Sequence, residues 1–277
     1  MSRARERTIG QAVAGGRFCA VVLDDGGTGV ANLCPDVCGR PARHISDLLP
    51  QPGTPAAKAL ETPAPPQCSA IGLATANALA NRFHGAAGVS PDDPARYGIG
   101  REAGTSSDVL DELELGPDDH VGMVGCFHPL VGRVRRRAGR LTIFERGPRL
   151  SDGLLPEDQA TAILPECSVA LITATAIING TIDGLLAAAR GCREVVLLGP
   201  STPLVPEVFN GPSGRVTLLA GVVVADAAAL LRTVTRDGGT RDFMTSVIKV
   251  NVRVNRTMGE HPHAQPTPRS RGAQAQH

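Results

Sequence analysis

Two stretches in the second half of the chain, Val169-Ala-Leu-Ile-Thr-Ala-Thr-Ala-Ile-Ile-Asn-Gly-Thr181 and Val195-Val-Leu-Leu-Gly-Pro-Ser-Thr-Pro203, decide the fold. Each opens as a short apolar run rich in Val, Ile and Leu and closes in a cluster of small polar residues. Such a run reads as a strand buried on both faces, which a parallel sheet covered by helices requires. Ligands of these sheets bind outside the carboxyl ends of the strands, where Gly permits close approach and hydroxyl, amide and backbone N–H groups are exposed. The two polar clusters therefore mark a candidate site before they say what binds there.

Outward from these stretches the pattern repeats as strand, helix, strand. Strands are expected at 121–124, 141–144, 169–173 and 195–198, with a fifth around 216–224. Helices are expected near 129–138, 157–164, 181–189 and 227–234. This alternation defines an α/β fold with a doubly wound parallel sheet. Ahead of it, residues 18–33 read as two strands around a Gly-rich turn. The segment 70–81 places Ile71, Ala74, Ala78 and Leu79 on one face of a small-residue helix suited to close packing. Dense prolines from Pro50 to Pro66 predict an extended crossing, interrupted at most by a turn at 56–60. A Gly-, Pro- and Asp-rich stretch at 85–105, followed by a short amphipathic helix at 107–113, sets a domain boundary near residue 105. Beyond Asn255 no apolar face remains, so residues 255–277 are expected to be a disordered tail.

Composition limits the function. The 277 residues exceed a usual domain, and 42% are hydrophobic, yet there is no Trp, one Tyr and six Phe, so stacking on nucleobases is not the main activity. Lys and Arg number 28 against 27 Asp and Glu, a balance that implies no nucleic-acid partner. The first eight residues are charged and lack an apolar core, so no secretory signal is read, and no apolar run reaches the ~20 residues of a membrane span. A cytoplasmic protein is expected. Seven widely spaced cysteines do not make a disulfide scaffold. Cys19, Cys167 and Cys192, in or beside apolar segments, read as small buried hydrophobes.

Several constellations carry chemistry. In Val121-Gly-Met-Val-Gly-Cys-Phe-His-Pro-Leu130, Gly125 hands a strand to a helix and Pro129 suits its first turn. Cys126 and His128 would sit beside exposed N–H groups that favour thiolate; the bland alternative is a tight turn with a packed Cys and His. The turn lacks the third glycine of the dinucleotide fingerprint. Glu145 follows Gly125 at the ~20-residue spacing of a ribose-binding acid, although an ion pair with Arg146 explains it equally. Thr173, Thr175, Asn179, Gly180 and Thr181 offer hydroxyls and amides, of which an N-cap at Thr181 would account for one. Gly199, Pro200, Ser201 and Thr202 end the next strand and are candidates to hold an anion. Arg133, Arg135, Arg136, Arg137 and Arg140 belong to the solvated face of a helix whose apolar face is Leu130, Val131, Val134 and Ala138. For metals, Cys34-Pro-Asp-Val-Cys38, His44 and Cys68 lack a second tight pair, and His261-Pro-His263 lies in the tail. A more specific metal site would join Cys126 and His128 to ligands from the first domain.

The segments Ile71-Gly-Leu-Ala-Thr-Ala-Asn-Ala-Leu79, Val121-Gly-Met-Val-Gly125, Leu141-Thr-Ile-Phe-Glu145, Ile172-Thr-Ala-Thr-Ala-Ile-Ile-Asn-Gly-Thr181 and Leu198-Gly-Pro-Ser-Thr-Pro203 resemble, in order and spacing, the "Putative heavy-metal chelation" family. The resemblance covers about residues 8–254. It implies an enolase N-terminal-like α+β domain over 1–105, a Rossmann-like domain over 106–254 and a site between them. Cys126 departs from it, standing where an aromatic residue is expected, and the proline-rich segment reads as a local elaboration. The function implied is binding of a heavy or transition metal ion, a metal complex or a small anion, with Asn179, Thr181 and Ser201 orienting it and Glu145 and Cys126 as charged contacts. The alternative is an enzyme using a nucleotide or S-adenosylmethionine, with Cys126 or His128 as nucleophile or base. Neither reading calls for nucleic acid or membrane, and both leave a homo-oligomer open.

Overall fold

The structure, a computed structural model, describes residues 6–34, 45–61, 66–81, 108–147, 151–209 and 215–254, with side chains from residue 69 onward in the third stretch. The expected boundary near residue 105, the tail, Cys38, His44 and the side chain of Cys68 lie outside the described residues.

Strands β1 (Ile9–Ala14), β2 (Phe18–Leu23) and β3 (Thr28–Asn32) form an antiparallel sheet in the order β1-β2-β3. The expected hairpin is β2 and β3; β1 was not anticipated, because Gly10 and Gln11 break its apolar pattern. Helix α1 (Ala56–Leu60) takes the place of the turn expected in the proline-rich crossing, and α2 (Pro66–Asn81) contains the small-residue helix. That helix lies on β3 so closely that a Cβ on Gly29 would stand 2.1 Å from the Ala74 carbonyl oxygen. Glycine at 29 and alanines at 70, 74 and 78 are thus a matched set: small residues let the backbones approach.

The larger sheet contains β4 (His120–Val124), β5 (Arg140–Glu145), β6 (Leu154–Pro156), β7 (Val169–Thr173), β8 (Glu194–Leu198), β9 (Leu218–Val224) and β10 (Val247–Arg253). Their order is β10-β9-β8-β7-β4-β5-β6, with every neighbouring pair parallel except β10 and β9. The chain runs outward from β4 to β6, then returns to β7 on the other side of β4. This places a topological switch point between β4 and β7, where an open α/β sheet leaves a crevice at its carboxyl edge.

The connecting helices are α3 (His128–Arg137), α4 (Ala160–Ile163), α5 (Thr175–Ile178), α6 (Ile182–Ala188), α7 (Ala227–Thr235) and α8 (Thr240–Phe243). Side chains alternate across the strands. Val121, Met123, Ile143, Leu171 and Val196 pack with Leu110 and Val134 on one face, while Val124, Phe144, Ile172 and Leu197 pack with Leu164 and Leu185 on the other. Both faces are dry, which is why these strands read as continuous apolar runs. The expected helix at 107–113 is reduced to a 3-10 turn, Val109–Asp111, in which the Asp108 carboxylate accepts from the Leu110 N–H at 2.9 Å.

The small sheet is also covered on both faces. Cys19, Val21 and Ala31 pack under α2, whereas Phe18, Ala20 and Val30 pack against Val222 of β9, Leu230 of α7 and Phe243 of α8. Phe18 and Phe243 meet edge to face at 5.1 Å. The two sheets therefore share apolar core, and β3 is carried toward the carboxyl ends of β7 and β8.

Candidate functional site

Gly125 follows β4 directly and takes φ +86°, a left-handed conformation natural to glycine. A side chain there would also press on Thr173, at 3.0 Å from its Cβ. The turn brings the Cys126 N–H 2.6 Å from Glu145 Oε2, and the Arg146 N–H donates to Glu145 Oε1 at 2.9 Å. Glu145 thus turns back onto the end of β4. Arg146 does not pair with it: its Nε and Nη2 donate to the two oxygens of Glu157 at 2.7 and 2.9 Å.

At the end of β7, the Thr173 and Thr175 hydroxyls share a 2.9 Å hydrogen bond. Asn179 Oδ1 accepts from the Thr181 N–H at 3.2 Å and lies 2.7 Å from Thr181 Oγ1, which is also 3.2 Å from Glu157 Oε1. Thr181 stands at the N-cap of α6, but its side chain makes no capping hydrogen bond, a correction to the capping role read from sequence. From the small sheet, Asn32 Oδ1 accepts from the Cys34 N–H at 2.7 Å.

These elements enclose a cleft of about 530 Å³ lined by Arg17, Asn32 and Cys34 on one side and by Gly125, Cys126, Phe127, Glu145, Arg146, Glu157, Thr173, Thr175 and Asn179 on the other. A second recess of about 450 Å³ shares Glu145, Arg146 and Glu157 and reaches Thr181. Gly125, Cys126, Glu145, Thr173 and Asn179 were read from sequence as site residues and meet in one cleft. Arg17, Asn32, Phe127 and Glu157 were missed; the nearest signal was Cys34, weighed only as half of a Cys-x-x-x-Cys pair.

Other expected contacts fall elsewhere. Ser201 and Thr202 are each 2% exposed. Ser201 Oγ accepts from the Asn32 N–H at 2.9 Å, and its carbonyl accepts from Asn77 Nδ2 at 3.2 Å. Thr202 Oγ1 is enclosed without a hydrogen-bond partner. Ser201 thus joins the end of β8 to β3 and α2, Thr202 sits against Gly221 of β9, and neither lines the cleft. Gly199 lies behind Phe127, and Gly180, Pro200 and His128 are not part of the lining.

His128 is exposed, with Nδ1 3.6 Å from Cys126 Sγ. Burial, with the Glu145 carboxylate adding to it, pushes the Cys126 thiol up, against a smaller opposing pull from Arg135. The expected thiolate is thereby corrected: the nearest N–H is engaged by a carboxylate, so the turn does not stabilise a sulfur anion. Cys19, Cys167 and Cys192 are buried as expected, with thiols raised by desolvation to about 12, about 12 and about 11.

The donors at hand do not suit a bare metal ion. Among the described residues no three His, Cys, Asp or Glu side chains converge on one point. Both carboxylates of the cleft are already hydrogen-bonded.

Comparison with known proteins accords with this architecture. Residues 108–253 match the DUF364 family, described as "Putative heavy-metal chelation", and residues 1–80 match DUF4213, which carries the same description. The chain belongs to the DUF364 family. Among its relatives, an uncharacterized protein of Methanocaldococcus jannaschii is 33% identical over 104 residues, a stretch spanning 36% of this chain and 40% of that protein. The crystal structure of a DUF364 protein of unknown function from Desulfitobacterium hafniense superposes with a TM-score of 0.70 at 25% identity, covering 90% of this chain and 93% of that one. One from Pyrococcus horikoshii gives 0.73 at 20% identity, covering 91% and 97%, and shares the fold.

Proposed function

We propose that this protein binds a metal complex or small anion in the cleft at the β4–β7 switch point. One observation carries the reading: residues of the small sheet, Arg17, Asn32 and Cys34, close a crevice of ligand size over Gly125, Cys126, Thr173, Thr175 and Asn179. In this proposal residues 1–105 form an enolase N-terminal-like domain and 106–254 a Rossmann-like one, working in the cytoplasm. Thr181 contributes through the adjoining recess, and Cys126, with His128 beside it, is a soft contact rather than part of a metal cage. An adenosine-containing cofactor suits the site less well, because the carboxylate that would meet a ribose is turned onto the Cys126 N–H.

The test uses full-length protein without a histidine tag, titrated calorimetrically with nickel, zinc and cadmium as free ions and as citrate complexes, and with ATP and S-adenosylmethionine. We expect saturable binding of at least one metal species, weakened by Asn179→Ala, and silence from the nucleotides. Binding of a nucleotide alone, or of no metal species, would sink the proposal.

A further inference from the structure

The polar atoms of the cleft are unequally engaged. Its acceptors are taken: Glu145 receives two backbone N–H groups, and Glu157 receives the Arg146 guanidinium through two hydrogen bonds. Its donors are not. Asn32 and Asn179 each commit the side-chain oxygen to a local backbone N–H, which leaves both Nδ2 amides with two N–H groups and no partner among the described residues. Thr173 and Thr175 share one hydrogen bond between two hydroxyls, so one hydroxyl proton remains. Arg17 lines the cleft and is exposed, with no ion pair among the described residues, and its guanidinium lies within reach of Gly239 ahead of α8. A site with surplus N–H and O–H donors, one uncommitted cation and no uncommitted carboxylate is built for an acceptor-rich ligand.

We infer that the cleft recognises its ligand through anionic oxygens, anchored by Arg17 and held by the amides of Asn32 and Asn179 and a Thr173/Thr175 hydroxyl. The inference rests on the binding function proposed above and names what is recognised. Metal arrives already complexed, and the protein reads the oxygens around it rather than supplying the ligand cage. Those oxygens belong either to the carboxylates of a small organic chelator or to a heavy-element oxyanion. The cleft volume of about 530 Å³ leaves room for the former.

The experiment titrates full-length protein with nickel citrate, citrate, nickel ion and molybdate, comparing wild type with Arg17→Gln and Arg17→Lys. The exposed position of Arg17 leaves folding intact, which circular dichroism and melting temperature check. Wild type should bind nickel citrate or molybdate, with affinity falling as salt rises. Arg17→Gln should weaken that binding about ten- to a hundredfold, with Arg17→Lys in between. Tighter binding of nickel citrate than of citrate assigns the oxygens to a chelate; binding of molybdate alone assigns them to an oxyanion. Equal affinity for citrate with and without nickel supports anion recognition and removes the metal from the function. Free nickel bound as tightly as its citrate complex, unaffected by Arg17→Gln, overturns the inference and leaves a metal-binding cleft standing. No binding by any of the four overturns both.

Discussion

Glu145 holds two backbone N–H groups at the place where sheets of this topology receive a ligand's phosphate. The carboxylate is tethered one strand away, so it competes at an effective concentration of roughly millimolar or above. Glu145→Ala should therefore uncover weak phosphate or sulfate binding at the β4 turn that wild type lacks, measurable by titration calorimetry. The same carboxylate helps keep Cys126 protonated. Its removal in Glu145→Gln should shift the pH midpoint of iodoacetamide labelling at Cys126 downward, with peptide mass spectrometry locating the label. Labelling that does not shift would show that desolvation alone raises this thiol. At this scale the sequence was partly legible. The strand-end positions of Gly125, Cys126 and Glu145 follow from the apolar runs before them. That Glu145 would bond inward, and Arg146 pair with Glu157, depends on side-chain directions that no spacing encodes.

Between elements, contacts at the two ends of the large sheet have different characters. At the amino edge, Asp119 before β4 pairs with Arg193 before β8 at 2.7 Å and accepts from Ser168 Oγ before β7 at 2.7 Å. The Arg193 hydrogen bond, with further ones from the Gly116 N–H and Ser168, holds the Asp119 carboxyl down at about 2. A carboxyl lowered on folding stabilises the protein above its unfolded value, near 3.8, and loses that contribution as pH falls toward 2. The melting-temperature gap between wild type and Asp119→Asn should accordingly be full at pH 6 and close between pH 4 and 2. At the small sheet, Gly29→Ala would drive a methyl into the Ala74 carbonyl, 2.1 Å away, and separate β3 from α2. We expect a loss of about 2 kcal/mol or more, read from urea denaturation. The central strands were legible to within a residue or two, because continuous apolar runs have one reading once helices flank them, whereas α2 begins four residues ahead of the expected 70–81 and the helix expected at 157–164 keeps only Ala160–Ile163 as α-helix. Strand β10 was not, because Ile248 and Lys249 are exposed side by side and spoil any simple alternation in an edge strand.

Across the whole molecule, the division between legible and hidden follows the distance along the chain. One wall of the cleft was readable, apart from Phe127 and Glu157, because most of it is made of strand ends from a single repeating pattern. The other was not, since Arg17, Asn32 and Cys34 reach it only through docking of the small sheet. The Asn32 N–H meets Ser201 Oγ across 169 residues of sequence, and this docking turned an expected ligand contact into a structural joint. Asn77 reinforces the joint, donating to the carbonyls of both Val30 and Ser201. Replacing it by Ala would leave buried carbonyls unpaired and should cost about 2 kcal/mol, checked by calorimetric unfolding. The joint also fixes how the protein responds to its ligand. Walls pinned to each other beside the cleft cannot swing as a clamshell, so capture requires no hinge closure and little loss of conformational entropy. Solution scattering curves with and without ligand should superimpose, and association should proceed in one concentration-dependent step without a slower isomerisation behind it.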